Sequence, residues 1–167
     1  MKAIPAEFPG SVWLPAQNLE LRETWSSEPE QMRIGEPVTR TVALIAAGLT
    51  ASQLPELMTA PSLRSLRQYP DQPTLDNRKD TTGLHGHRQE KLALVPVEAG
   101  KVLIPELAIP WWNTTTDRLE IARLPGRQLN IPAPLPLTID PEPTSSDQVG
   151  AARVTRDFTQ SRQWFFV

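Results

Sequence analysis

Proline is the residue type that most limits how this chain can fold. The sequence has 18 prolines in 167 residues, about twice the ordinary share, but only 8 glycines, which excludes a collagen-like or glycine-rich low-complexity chain. A proline inside a helix removes a backbone hydrogen bond and costs about 3 kcal/mol. The longest proline-free windows are 38–54, 74–95 and 144–167, and the first two favour strands joined by loops. The proline spacing therefore predicts an all-β protein.

Cysteine content and charge exclude several function classes. The chain has no cysteine, which excludes disulfides, thiolate metal sites and a cysteine nucleophile. Its 17 basic and 19 acidic residues give a formal net charge of -2, so no dominating positive field is available to hold nucleic acid or an anionic membrane surface. The apolar share of 39% is enough for one core, so we expect one domain with linkers.

Two segments near the N-terminus have the alternation of half-buried strands. Residues 19–25 place Leu19, Leu21 and Trp25 on one face and mostly polar side chains on the other. Residues 38–46 are rich in β-branched side chains and alternate in the same way. Both segments are therefore predicted to be strands.

Further strands are predicted at residues 63–69, 84–95, 101–110, 118–124 and 127–131, the last two separated by a break at Pro125-Gly126. Residues 54–57 are predicted to be extended, 76–83 an exposed loop and 113–117 a hairpin tip. About seven short strands, about 8–12 residues apart, are typical of an antiparallel immunoglobulin-like β-sandwich of the fibronectin type III kind. An antibody-type domain is excluded because it needs a cysteine pair.

The chain is predicted to have three regions. These are a lead-in at 1–16, the sandwich domain at 17–132 and a proline-rich linker with a juxtamembrane tail at 133–167. Five prolines fall within 132–143, which favours an extended, solvated backbone. The spacing of side chains within 145–162 also allows a short helix.

Neither end of the chain carries a complete membrane signal. The first residues lack the apolar region of a secretory signal, and the longest apolar run, 42–49, is too short to span a bilayer. The chain stops abruptly on Trp164-Phe165-Phe166-Val167, which is typical of the interfacial start of a membrane span. The alternative is that this ending docks on the domain as a final strand.

A distinctive series of motifs runs through the second half of the sandwich. Its centre is Ile109-Pro110-Trp111-Trp112-Asn113-Thr114, followed by Asp117-Arg118-Leu119-Glu120-Ile121-Ala122-Arg123-Leu124-Pro125. Matches in the same order lie upstream, at Trp13-Leu14-Pro15-Ala16, Gly35-Glu36-Pro37, Gly48-Leu49-Thr50 and Tyr69-Pro70-Asp71-Gln72-Pro73. Over about residues 13–131 the sequence resembles the BatD family of oxygen-tolerance (aerotolerance) proteins.

The resemblance implies a bacterial cell-envelope protein that is anchored in the inner membrane and carries immunoglobulin-like domains on its periplasmic side. This chain would be the membrane-proximal part, because the family's secretion signal and membrane helix are not in the sequence. Relatives are usually encoded beside von Willebrand A-domain proteins and a MoxR-type AAA+ ATPase, so protein partners from the same operon are implied. The family is associated with aerotolerance and stress resistance, and it has no established catalytic activity.

The adjacent Trp111 and Trp112 are the main interaction candidates. Neighbouring residues of a strand face opposite sides, so one ring can fill the core while the other needs separate cover. One interpretation is a recognition aromatic for a partner domain or a sugar. The other is that both rings pack on the hairpin or on the lead-in around Trp13.

Charged residues provide two weaker candidates. Arg118 and Arg123, together with Arg127, form either a modest basic stripe or a solvated strand face. His85 and His87 are the only histidines and share one face of a strand, so a two-point metal site is geometrically possible. Zinc needs at least a third ligand and nothing in the spacing demands one, so no metal and no cofactor are predicted.

No catalytic arrangement can be recognised in the sequence. It has no nucleophile elbow, no phosphate-binding glycine loop and no paired carboxylates in an apolar setting. We therefore expect a non-enzymatic domain that has no small-molecule substrate, and the resemblance implies an extracytoplasmic protein-interaction role for it. The alternative is a carbohydrate-binding β-sandwich that uses exposed tryptophans as stacking platforms.

Overall fold

The computed structural model describes residues 8–9, 12–58 and 64–134, so the predictions for 145–162 and for the chain ending lie outside it. The described part is nearly all β, which confirms the predicted fold class. It contains two short 3-10 turns and ten strands: β1 (Pro15–Ala16), β2 (Asn18–Trp25), β3 (Val38–Ala47), β4 (Leu66–Pro70), β5 (Thr74–Asp80), β6 (Gly83–Pro96), β7 (Gly100–Ile104), β8 (Leu107–Asn113), β9 (Arg118–Leu124) and β10 (Arg127–Ile131).

Five strands form the larger sheet of the sandwich. Its order is β2-β3-β6-β4, and β5 follows β4 along the same edge of β6. All its pairings are antiparallel, with Leu21 opposite Leu44 and Val42 opposite Glu90. Buried and half-buried side chains alternate along β3, so this sheet presents one face to the core.

The second layer is one long hairpin with an interruption in the middle. β7 pairs with β10 and β8 pairs with β9, all antiparallel. On one side of the gap Ile104 lies opposite Arg127, and on the other side Leu107 lies opposite Leu124. Both strands therefore advance by three residues across the gap. The register therefore continues unchanged through the gap. Each of the two chain segments at the gap, 105–106 and 125–126, contains a proline, which has no N–H to donate to the ladder. The predicted break is therefore confirmed.

The interruption turns the opposite face of the hairpin toward the large sheet. Along β7 the buried side chains are Val102 and Ile104, whereas along β8 they include Ile109 and Trp111. The buried positions thus have even residue numbers on β7 and odd residue numbers on β8. On the partner strands they have odd numbers on β10 and even numbers on β9. Both halves of the hairpin therefore contribute buried side chains to the core although the buried face changes at the gap.

Two hydrophobic clusters fill the space between the layers. The first joins β2 and β3 to β8 and β9 and includes Leu44 and Trp111. The second joins β3 and β6 to β7 and β10 and includes Leu94 and Leu129. Met58 packs against both clusters. Each half of the interrupted hairpin therefore covers its own part of the core.

The predicted loop at 76–83 is wrong, because residues 74–80 form strand β5. This strand pairs with β6 from Thr74 opposite Gln89 to Asp80 opposite Gly83. All seven of its side chains are exposed. A strand with two solvated faces has no apolar alternation, so its sequence has the polar pattern of a loop.

Two other segments also contribute to the packing. Residues 54–57 follow the 3-10 turn Ala51–Gln53 and bury Leu54 and Leu57 in the first cluster; Leu54 has the predicted extended backbone, although the segment is not part of a strand. Within the predicted lead-in, Ala16 is buried and β1 pairs in parallel with β8. The strand count rises from about seven to ten because β1 and β5 are added and the proline gap divides one predicted strand.

Candidate interaction surface

The two adjacent tryptophans point to opposite sides of β8. Trp111 is only 4% exposed and packs in the first cluster with Ile109 and Leu124. Trp112 is half-buried on the outer face of the hairpin. A partner of this fold would therefore meet Trp112 and not Trp111.

Trp112 belongs to a row of three aromatic rings, which we call the aromatic row. The ring centroids of Trp112 and Trp13 are 5.9 Å apart with a tilt of 35°. Phe8 meets Trp13 edge to face at 4.9 Å. This contact is the one predicted by the interpretation in which the tryptophan rings pack around Trp13. All three side chains remain half-buried, so the row still has accessible surface.

Aliphatic side chains extend the aromatic row across the outer face of β8 and β9. Leu119 lies opposite Trp112, and Ile121 lies opposite Pro110. Ile121 is 42% exposed, which is high for a large apolar side chain on a strand. The aromatic row and these three residues form one outer surface, which we call the outer hairpin face.

The turn between β8 and β9 fixes the position of Trp112. Asn113 is buried, and its Oδ1 accepts hydrogen bonds from the backbone N–H groups of Thr115 and Thr116 at 2.9 and 3.1 Å. Asp117 has a φ of 54°, and its Oδ1 accepts a hydrogen bond from Trp112 Nε1 at 3.0 Å. Asparagine and aspartate tolerate such turn conformations. The ring is therefore held from the turn as well as from Trp13.

The three arginines proposed as a stripe do not share one surface. Arg118 and Arg123 are exposed near opposite ends of β9 and, five positions apart, face opposite sides of the strand. Arg123 lies 3.5 Å from Glu106 across the hairpin. Arg127 is on β10 and forms ion pairs with Glu23 and Glu30. Only Arg123 points to the same side as the outer hairpin face.

Sequence reasoning missed a buried charge cluster between the two hydrophobic clusters. It consists of the buried Glu23 and Arg40, together with Arg127, whose side chain is 40% exposed. Arg40 Nε donates to Glu23 Oε1 at 2.7 Å, and both side chains are less than one-tenth exposed. Arg127 Nε lies 3.4 Å from the other oxygen, Glu23 Oε2. The signal was available, because Glu23 shares the strand face of Leu21 and Trp25 and so breaks its apolar pattern.

A second buried ion pair fastens the loop after the 3-10 turn. Arg88 Nε donates to Glu90 Oε1 at 2.7 Å, and both side chains are largely buried. Glu90 also accepts the backbone N–H groups of Leu57 and Met58. A carboxylate that accepts several N–H groups is held strongly in one position. This pair therefore organises the loop and leaves little of Glu90 for other chemistry.

The histidines lie on the outer face of the large sheet. His85 Nε2 is 2.8 Å from the Thr82 hydroxyl and 3.5 Å from Asp80 Oδ1, and His87 lies opposite Asp76 on β5. Within residues 8–9, 12–58 and 64–134, no three His, Asp or Glu side chains come together as a metal site would require. The structure therefore gives His85 a hydrogen-bonding partner in Thr82, and within these residues no third ligand joins the two histidines.

No protein-family model matches this chain, and no curated protein or solved structure matches it either. Among the described residues, no helix has both the length and the apolar character needed to cross a membrane. The family resemblance therefore depends on the sequence motifs alone.

Proposed function

We propose that this domain is a non-enzymatic protein-interaction module and that its outer hairpin face is the binding surface. The observation that carries the proposal is the aromatic row, in which Trp112 and Trp13 stack beside the exposed Ile121. Tryptophan is one of the residue types enriched among the few side chains that supply most of the free energy at protein interfaces.

The geometry favours binding without large rearrangement. Trp112 is held by the Asp117 hydrogen bond and by Trp13, so its ring loses little conformational entropy when a partner covers it. Arg123 lies beside this surface and is more than half exposed. It can add a hydrogen-bonding contact at the rim, where charged residues are common.

We further propose that the sandwich is immunoglobulin-like and belongs to a BatD-like protein on the periplasmic side of the bacterial inner membrane. The motifs from Ile109 to Pro125 support this, and they coincide with β8, β9 and the turn that positions Trp112. In this proposal the partners are the von Willebrand A-domain proteins encoded nearby, and the process is oxygen tolerance or another stress response.

The test is capture of a purified von Willebrand A-domain protein from the same operon by the whole chain. Replacing Trp112 with Ala removes the central ring of the surface, so we expect the dissociation constant to rise by about thirtyfold or more, as for an interface hot spot. Binding would be measured by surface plasmon resonance, and circular dichroism would establish that the variant is folded.

The matched control is Tyr69→Ala. Tyr69 is also aromatic and is 54% exposed, but it lies on β4 of the other layer. We expect this variant to bind like the wild type. Equal binding by the wild type and the Trp112 variant, or a loss only in the Tyr69 variant, would remove the outer hairpin face from the account. Binding of oligosaccharides without capture of the protein partner would favour the carbohydrate-binding alternative.

A further inference from the structure

The strand β5 lies at an open edge of the large sheet. It pairs with β6 on one side, and among the described residues no strand and no backbone hydrogen bond uses its other side. All seven of its side chains are exposed. The strand at the opposite edge, β2, contacts β9 of the second layer. An open edge carries unpaired N–H and C=O groups, so β5 is a template for a further strand.

The register of β6 shows which backbone groups of β5 point outward. The carbonyl of Leu84 accepts the N–H of Gly48, directly after β3, at 2.7 Å, so the even-numbered residues of β6 bond to β3. The odd-numbered residues of β6 therefore bond to β5, where their partners have even numbers. Because backbone direction alternates along an antiparallel strand, the N–H and C=O groups of Leu75, Asn77 and Lys79 point away from β6.

The charges of β5 match those of a second copy of the same strand. When two copies pair antiparallel about Asn77, Asp76 of each copy lies opposite Arg78 of the other. Lys79 then lies opposite the apolar Leu75, so no like charges meet. The same centre sets the outward backbone groups of the two copies against each other, which allows about six main-chain hydrogen bonds. The oppositely charged residues form the non-hydrogen-bonded pairs, whose side chains lie closest together.

Neighbouring registers lack this match. A centre at Asp76 or at Arg78 places two like charges directly opposite each other, which destabilises a strand pair. The centre at Asp76 also sets Pro73 against Lys79, and proline has no N–H to donate. A shift that places Asp76 opposite Asn77 sets outward backbone groups against inward ones and loses the hydrogen bonds. The sequence of β5 therefore favours one register of self-pairing.

We propose that two copies of this chain associate through β5, antiparallel about Asn77, so that their large sheets join into one. The main-chain hydrogen bonds supply the affinity, as in other cases of strand addition. The pairs between Asp76 and Arg78 set the register, since exposed ion pairs add little affinity by themselves. The outer hairpin face is on the other layer, so self-association and the proposed partner binding use separate surfaces and can fail separately.

Sedimentation equilibrium of the whole chain tests the proposal directly. We expect a reversible equilibrium of monomer and dimer between about 10 µM and about 1 mM, because an interface this small associates weakly. Charged side chains on an edge strand can also keep other strands away, and that alternative predicts a monomer at every concentration. A chain that stays monomeric over the whole range would overturn the proposal.

Two charge-reversal variants test the register. Asp76→Lys and Arg78→Glu each place like charges opposite each other, so we expect the dissociation constant of either variant alone to rise by about tenfold or more. An equimolar mixture of the two variants should associate again, because every charged residue at these positions then meets the opposite charge in the other copy. Both substitutions are at exposed positions, and circular dichroism would establish that the variants are folded.

Glu98→Lys and Lys101→Glu are the matched controls. They make the same kinds of charge change at exposed positions outside β5, and we expect both to dimerise like the wild type. A dimer that persists in both β5 variants would lie on another surface and would contradict the proposal. A mixture of the β5 variants that associates no better than either variant alone would contradict the register.

Discussion

Asp80 is a residue whose ionisation is controlled by hydrogen bonds in its own turn. Its carboxylate accepts a hydrogen bond from the Thr82 hydroxyl and another, at 2.8 Å, from the Thr82 backbone N–H. These bonds, with smaller contributions from His85 and Arg78, hold the pKa of Asp80 below its ordinary value. The ionised form therefore stabilises the turn between β5 and β6. That contribution is present above the ordinary carboxyl pKa of about 4 and is lost as the pH falls through the lowered value.

Removing the hydroxyl donor tests this account of the turn. In Thr82→Ala we expect the pKa of Asp80 to rise toward its ordinary value, because the strongest hydrogen bond to the carboxylate is gone. A carboxyl-carbon NMR titration measures the pKa of Asp80. The control is Thr74→Ala, at the start of β5, the strand that ends at Asp80. An Asp80 pKa that is ordinary in the wild type, or unchanged in the Thr82 variant, would contradict the account.

Single residues also explain why the buried charge cluster escaped sequence reasoning. Glu23 and Arg40 occupy inward positions of alternating strands, where an apolar side chain is the usual occupant. Their partnership depends on Trp25 lying opposite Arg40 across β2 and β3, which places Glu23 within reach. A register of this kind is a property of the folded sheet, so composition and spacing could reveal the anomaly but not its partner.

At the scale of elements, Gly86 allows the loop of residues 49–51 to lie against β6. A Cβ at this position would be 2.6 Å from backbone atoms of Leu49, Thr50 and Ala51. Asn77, opposite Gly86 on β5, accepts the Ala51 N–H at 2.7 Å and holds the loop there. A glycine inside a strand is typical of such a close backbone approach.

Replacing Gly86 with Ala should therefore force the loop or the strand to move. We expect the free energy of unfolding to fall by about 1–3 kcal/mol, as for other overpacked sites. Urea denaturation measures this, and Gln89→Ala, on the opposite face of β6, is the control with little expected change. If Gly86→Ala were as stable as the wild type, the contact between the loop and β6 would be looser than described.

The hairpin of β7 to β10 was largely predictable, whereas β5 was not. Prolines and the polar tip mark where the hairpin bends and turns, and its apolar residues alternate on each side of the gap. The change of buried face at the gap depends on how the two halves of the hairpin pack against the large sheet, which only the folded structure shows. In β5 every side chain is exposed, so only the pairing with β6 makes it a strand.

At the scale of the whole molecule, the two clusters divide the sandwich into two halves with different surfaces. The half around Trp111 carries the outer hairpin face. The charge cluster lies between the halves, beside a cavity that Arg127 helps to line. Sequence reasoning identified Trp112 as an interaction candidate and offered packing around Trp13 as the alternative, but only the fold places Leu119 and Ile121 on the same surface.

The most direct test of the account is hydroxyl-radical footprinting of the whole chain with and without the von Willebrand A-domain protein that we propose as its partner. We predict that Trp13, Trp112 and Ile121 are oxidised more slowly in the mixture, because the proposed complex covers the outer hairpin face. Tyr69 and Leu75, which are about half exposed on the other layer, should react at unchanged rates. Protection of Tyr69 and Leu75 with no change at Trp112 would contradict the central claim.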